Sequence, residues 1–336
     1  MRAYERLLNY VKVWTTSDEE STTSPTTARQ FDLAKLLLEE MKGMGIEDAM
    51  MDEYGYVYGH IPATPGYENC TAIGFLAHMD TAPDYSGENV NPQTIENYDG
   101  KDVILGTSGR TLTVKDFPSL KNMTGKTLIT TDGTTLLGAD DKAGIAEIMT
   151  VAEELLKGDI PHGNVCLAFT TDEEVGSGAC HMDLERFGAP YAYTVDGGPE
   201  GEIQFENFNA ASAEFVIHGV NVHPGEAKDI MVNSMKIAME LQGMLPEQEA
   251  PEHTEGYEGF FHLMEMNGSV EETTMSYLIR EFDAEKYEAR KALMQEITAK
   301  INAKYGEGTV ELKLEDSYRN MREMIEPCMQ LIDFAV

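Results

Sequence analysis

Four short segments and one later histidine carry side chains able to hold a cation or move a proton. They are His78-Met79-Asp80, Gly138-Ala139-Asp140-Asp141-Lys142, Asp172-Glu173-Glu174 and Asp196-Gly197-Gly198, with His223 further on. One imidazole with several carboxylates, and no thiolate, is the donor set of zinc, manganese or cobalt. Carboxylates gathered at one place repel one another unless cations stand between them. Two ions sharing one carboxylate remove that repulsion and acidify a water between them, to a pKa of about 7 for zinc. A carboxylate outside the ligand set takes that water's proton as general base. Singly, the segments read otherwise. His-x-Asp is a common surface or core pair, Asp-Asp a helix N-cap, Glu-Glu a solvated face and Asp-Gly-Gly a turn. Their recurrence behind strands or at a helix start makes the combination informative.

Three apolar runs, Ile73–Ala77, Val165–Phe169 and Tyr191–Val195, read as buried strands. Each leads within a few residues into one of the polar clusters, where open α/β sheets place their sites. Thr27-x-x-Gln30 has capping-box spacing before a helix with Phe31, Ala34, Leu37, Leu38 and Met41 on one face, stopped by Gly43 and Gly45. Ala143–Leu156 is a second helix, with Ile145, Ile148, Met149, Ala152 and Leu155 inward. The Asp-Asp pair opens it, so an N-cap is the plain reading of Asp141.

The 336 residues carry 25 Lys+Arg against 59 Asp+Glu, a net charge of −34. Such a polyanion repels phosphate backbones and anionic lipid heads, so no nucleic acid and no membrane surface is expected as partner. The apolar share, 42%, is too high for a disordered acidic chain. Cys70, Cys166, Cys180 and Cys328 are scattered, without the spacing of a disulfide framework or a zinc-thiolate site. Met1 to Thr16 carries no continuous apolar core and nowhere do about 18 apolar residues run together, so neither secretion nor membrane spanning is expected. A cytoplasmic location is the expectation.

From about Asn207 the pattern changes. A half-buried strand from Ala211 to Ile217 precedes a helix over about Asp229–Met244 and an acidic loop. Phe260–Met266 and Val270–Phe282 flank Asn267-Gly268, a hairpin signal. A helix over Ala284–Lys304 and a strand at Val310–Leu314 complete β-α-β-β-α-β, the ferredoxin-like split pattern. Residues 207–317 thus read as a domain inserted into 1–206, and Glu323–Val336 has helical spacing.

With these residues assembled, the chain resembles the M20 family of dinuclear zinc peptidases from Tyr4 to Val336. The likeness rests on Ile73–Thr81, Thr130–Met149, Phe169–Glu174, Tyr193–Gly198 and Asn221-Val-His-Pro-Gly225. Glu206–Ala213 and Pro251–Gly259 are more particular to its tripeptide aminopeptidase branch. The resemblance implies an α/β zinc-exopeptidase-like catalytic domain, its central mixed sheet covered by helices on both faces, interrupted by an inserted ferredoxin-like α+β lid. The implied activity is release of the N-terminal residue from short peptides, chiefly tripeptides, by hydroxide held between two metals. The same metal pair serves dipeptidases, carboxypeptidases and N-acyl amino-acid deacylases, so these stay open as alternatives.

The resemblance also implies roles. His78 and Asp196 bind one metal, Glu174 the other, and Asp140 bridges them. Asp80 orients the His78 ring. Glu173 is the general base, the Asp140–Asp141 peptide is cis, and Lys142 is a structural charge. His223 is a lid histidine that stabilises the oxyanion, or else a turn residue before Pro224. In some members it reaches across a dimer, so a homodimer is among the expected assemblies. Asn233 and Arg280 fall on lid positions that resemble substrate-binding ones, although Arg280 also has Glu281 and Asp283 beside it. In the family the catalytic domain resumes with a Gly-Gly-Thr-Asp-Gly segment and a late histidine ligating the second metal. Neither occurs in these 336 residues. Residues 318–336 then read as the start of that returning segment, and the expectation for this chain by itself is weak second-metal binding and little or no peptidase activity.

Overall fold

Val165–Thr170 is apolar up to Phe169 and buried along its whole length, and such a strand needs cover on both faces and a partner at both edges. It has both in the computed structural model, which describes residues 1–336 as two units, Met1–Pro199 and Glu200–Val336.

The first unit opens with α1 (Ala3–Tyr10), α2 (Gln30–Met44), β1 (Met50–Met51), β2 (Val57–Ile61) and β3 (Ile73–His78). Next come β4 (Pro92–Ile95), β5 (Val103–Ile104), β6 (Thr111–Leu112) and β7 (Leu128–Thr131). It closes with α3 (Ala139–Leu156), β8 (Val165–Thr170), α4 (Leu184–Phe187) and β9 (Tyr191–Thr194). The central sheet is mixed, in the order β1-β2-β8-β3-β9. β3 runs parallel to β8 and β9, and β2 antiparallel to β8. The carboxyl ends of β3, β8 and β9 therefore share one edge.

Alternation along the strands builds two faces. Val57, Ile61, Leu167 and Phe169 pack with Leu33, Leu37 and Met41 of α2 and Ile145, Ile148 and Met149 of α3. Tyr56, Tyr58, Cys166 and Ala168 turn the other way, onto Phe187 of α4. The stop of α2 is Gly45, whose φ of +98° lies in the left-handed region glycine adopts without cost, whereas Gly43 lies inside the helix. β4 pairs with β7 and β5 with β6, around Tyr98, Val103, Leu105 and Leu120. These strands of two to four residues are too short to show a period, and the sequence pattern gave no sign of them.

The second unit contains β10 (Asn209–His218), α5 (Ser234–Gln242), β11 (Phe260–Gly268), β12 (Glu272–Glu281), α6 (Ala284–Tyr305) and β13 (Val310–Tyr318). Its antiparallel sheet has the order β11-β12-β10-β13, the ferredoxin-like arrangement. Ala211, Ala213, Phe215 and Ile217 face Ile237 and Leu241 of α5 and Met294, Ile297 and Ile301 of α6. Two local expectations fail. Asn267 and Gly268 stay in the ladder, opposite Thr274 and Thr273, and the turn is Ser269–Glu271. The Ser269 hydroxyl accepts from the Glu271 and Glu272 N–H groups, and a Cβ on Gly268 would stand 2.4 Å from Thr273 Oγ1. That glycine thus serves a close cross-strand approach. Glu323–Val336 is not one helix but α7 (Arg322–Ile325) and α8 (Gln330–Ala335), divided by a 3₁₀ turn around Pro327, which has no N–H to give.

No helix is long and apolar enough to cross a membrane. One contact sets the position of α3. A Cβ on Gly144 would lie 1.9 Å from the Val195 carbonyl oxygen and 2.5 Å from Asp141 Oδ1. Gly144→Ala should therefore destabilise the first unit by about 3 kcal/mol, an overpacking cost against backbone that cannot yield. A urea midpoint equal to wild type would refute this close approach.

Candidate metal centre

His78 ends β3 and is 2% exposed. Its ring stands between two environments. Nδ1 lies 3.1 Å from the Asp80 main-chain oxygen and 3.4 Å from Asp80 Oδ1. Nε2 faces carboxylates instead: Asp140 Oδ1 at 2.9 Å, Glu173 Oε2 at 3.8 Å and Asp196 Oδ1 at 3.9 Å. An N–H held by Asp80 leaves the Nε2 lone pair for a cation.

Each carboxylate arrives on a different element. Asp140 stands at the start of α3, where it and Asp141 have non-helical dihedrals and a cis peptide bond between them. Glu173 and Glu174 follow β8, and Asp196 follows β9. His78, Asp140 and Glu174 present ligand atoms all within 4.8 Å of one another, and so do His78, Asp141 and Asp196. The four side chains named as ligands in the sequence thus come together around one imidazole. Asp141 joins them, but its oxygens are engaged: they accept from the His78 N–H at 3.2 Å and the Gly144 N–H at 3.1 Å, the second bond being its N-cap. Asp140 is the open one, with 64% of its side chain exposed.

Asp80 does more than orient a ring. Its carboxylate accepts the Glu173 N–H at 3.0 Å on one oxygen and the Glu174 N–H at 3.1 Å on the other. Sequence spacing carries no signal for this grip, which joins segments 93 residues apart. Gly178 was missed too: its Cα backs onto Glu173, so that a Cβ would meet Glu173 Cα and Cβ at 3.0 Å.

The electrostatics are those of a cluster short of positive charge. Burial opposes the imidazolium of His78, but Asp140 and Asp80 outweigh it and push the ring up to about 11. Burial, reinforced by Asp196, pushes Asp141 up to about 8. Burial and Asp140 push Glu174 up to about 7. Glu173 and Asp196 are raised as well, chiefly by burial. Lys142, 2% exposed, donates to the Val13 carbonyl at 2.8 Å, and burial pulls its ammonium down to about 7. Protons here stand where divalent cations fit. The donor set holds one imidazole nitrogen and carboxylate oxygens, the ligands that zinc takes at about 2.0–2.2 Å.

The three lid candidates lie in the second unit. His223 Nδ1 accepts from the Gly225 N–H at 3.1 Å. Asn233 caps α5, accepting from the Met235 and Lys236 N–H groups. Arg280 donates to the Ile279 carbonyl at 3.0 Å and stacks over Tyr318. It pairs with neither acidic neighbour, because Glu281 takes Arg290 at 2.9 Å and Asp283 caps α6.

Ligation by His78 and Glu174 requires their deprotonated forms, so metal binding competes with protonation and tightens as pH rises. Zinc affinity should increase about tenfold per unit between about pH 6 and 8, with about one proton or more released per ion. Calorimetry in buffers of different ionisation enthalpy measures both, and a pH-independent affinity would contradict this picture of the site.

Known proteins give this geometry a context. The family described as Peptidase dimerisation domain matches residues 205–309, and the one described as M42 glutamyl aminopeptidase matches 124–253. The structure is similar to an aminopeptidase of Bacillus cereus, with a TM-score of 0.72 at 23% identity over 98% of this chain and 82% of that one. A tripeptidase of Staphylococcus aureus gives 0.71 at 22% identity, over 95% and 76%. At such identities these two speak for the fold. Sequence similarity reaches further. The peptidase T of Clostridium novyi is 55% identical over 332 residues, 98% of this chain and 81% of the relative. That of Geobacillus kaustophilus is 56% identical over 333 residues, with the same coverage. At that identity and coverage, the chain belongs to the peptidase T family.

Proposed function

We propose that the chain is a cytoplasmic metallo-aminopeptidase that releases the N-terminal residue from short peptides, chiefly tripeptides. The observation that carries this reading is the meeting of His78, Asp140, Glu174 and Asp196 at one sheet edge, with Glu173 beside them. Family membership and the free thiols of all four cysteines accord with it. Residues 1–206 form the catalytic part and 207–317 the inserted lid.

His78 and Asp196 would hold one divalent ion, Glu174 the other, and Asp140 would be shared by the two; zinc suits the donors best. When bound, the ions supply Lewis acidity toward the scissile carbonyl and lower the pKa of water. The chain's own residues do the rest. Glu173, whose carboxyl burial raises above its ordinary value, takes a proton from the attacking water and later delivers it to the departing amine. Asp80 holds the Glu173 and Glu174 main chain while keeping the imidazole aimed. Arg280, without a carboxylate partner, matches the C-terminal carboxylate of a short peptide, which a guanidinium binds through two parallel bonds. His223 steadies the oxyanion, Asn233 contacts substrate, and two copies pair through the dimerisation domain.

The test uses the zinc-loaded chain and the same chain extended to the length of its peptidase T relatives. A tripeptide with a free amine, its N-acetylated form and a dipeptide are compared. The free tripeptide should be cleaved fastest, and preference for the acylated peptide or the dipeptide would overturn the aminopeptidase reading. In whichever form turns over, Glu173→Gln should lower kcat by about 10²–10⁴-fold with KM little changed. Turnover near wild type would remove Glu173 as the base.

A further inference from the structure

Asp172 immediately precedes the base, yet neither group of candidate ligands includes it. It is 2% exposed, and its φ of +59° puts a non-glycine residue in the left-handed region. No lysine or arginine pairs with it. A buried carboxylate without a cation is costly unless hydrogen bonds replace the lost water. Here they come from one stretch of chain. Thr26 donates its N–H at 2.9 Å and its hydroxyl at 2.6 Å. Gln30 Nε2 donates at 2.6 Å, while Gln30 Oε1 accepts the Asp172 N–H at 3.2 Å.

Gln30 is 0% exposed, and its amide thus holds Asp172 by side chain and main chain together. This corrects the capping-box reading. The glutamine at the start of α2 reaches across to the loop after β8 and leaves the helix without a side-chain cap. The same stretch is tied at its other end: the Thr27 hydroxyl donates to the Thr16 carbonyl at 2.8 Å, and the Ser17 N–H to the Thr81 carbonyl at 3.1 Å. Thr81 follows Asp80. Residues 16–30 therefore join the neighbour of Asp80 to the neighbour of Glu173.

We infer that Gln30 and Asp172 are positioning residues for the metal centre, fixing the main chain from which Glu173 and Glu174 project. The peptide groups of these two glutamates are held between two carboxylates, Asp80 by direct bonds and Asp172 through the preceding residue. With Gln30 lost, Asp172 turns toward water, the Glu173 and Glu174 N–H groups leave Asp80, and Glu174 no longer meets His78 and Asp140. This rests on the metal reading above.

The experiment is zinc calorimetry on the chain carrying Gln30→Leu, Gln30→Glu, Asp172→Asn, or the last two together. Circular dichroism checks each fold. The double variant restores the pairing with donor and acceptor exchanged, an asparagine amide now donating to a glutamate that still accepts the main-chain N–H. Each single variant should bind zinc about 10–100-fold more weakly, the usual loss when an outer partner of a metal site is removed. The double variant should recover to within about threefold of wild type. Singles with wild-type affinity, or a double whose loss is the sum of its parts, overturn the inference. If Gln30→Leu does not fold, the Glu and Asn variants decide by the same comparison. A wild-type chain that binds no zinc overturns the metal reading itself, whereas wild-type binding with unaffected variants overturns only this assignment.

Discussion

Like charge concentrated around a single imidazole is the constraint the first unit is built to bear. Three carboxylates lie within 3.9 Å of His78 Nε2. The ligand atoms of His78, Asp140 and Glu174, and those of His78, Asp141 and Asp196, lie within 4.8 Å of one another, and at about 4 Å two like unit charges near a protein surface repel by about 4 kcal/mol. A few such pairs rival the whole stability of a domain, about 5–15 kcal/mol. The chain can hold them there only if positive charge, from protons or metal ions, is present. Burial raises Asp141, Glu173, Glu174 and Asp196 first and the charge of their neighbours adds to it, while Asp140 and Asp80 raise the imidazole against its burial.

Holding the groups in place falls to the main chain around them. Asp80 takes two peptide N–H groups of the loop after β8, Asp141 takes one from β3 and one from α3, and Gly178 backs Glu173. None of these contacts supplies a ligand by itself. They set the direction of those that do, and a displacement of a few tenths of an ångström in any of them shifts a donor atom.

Much of this was legible in the sequence. The strands Ile73–Ala77, Val165–Phe169 and Tyr191–Val195 stood out as apolar runs, and the side chains following them meet at one sheet edge. Val165–Thr170 is buried throughout as expected, whereas Tyr191–Thr194, at the end of the sheet with β3 on one side only, alternates half-buried with exposed residues and corrects the reading of it as buried. The β-α-β-β-α-β order stood out because its helices and strands are long enough to show a period. What stayed hidden was interaction between distant segments. Nothing local in Gln30 shows that its amide grips Asp172, and nothing in Asp80 shows that its carboxylate holds the Glu173 main chain. Thr27-x-x-Gln30 matched a capping box because the spacing is right, but a buried carboxylate competes better for that amide than a helix end open to water. Asn267-Gly268 likewise matched a turn, while Ser269 supplied stronger turn chemistry two residues on.

The strand order carries a consequence for biosynthesis. β8 is made long after β2 and β3, yet it lies between them, and β9 completes the row last. Until residues 165–196 have left the ribosome, the two earlier strands lack their central neighbour or His78 lacks Glu174 or Asp196. Pairings this remote in sequence form slowly because chain entropy is lost before contacts compensate. A metal ion captured early would find only His78 with Asp80, Asp140 and Asp141, so the meeting of His78, Asp140, Glu174 and Asp196 is a product of late folding.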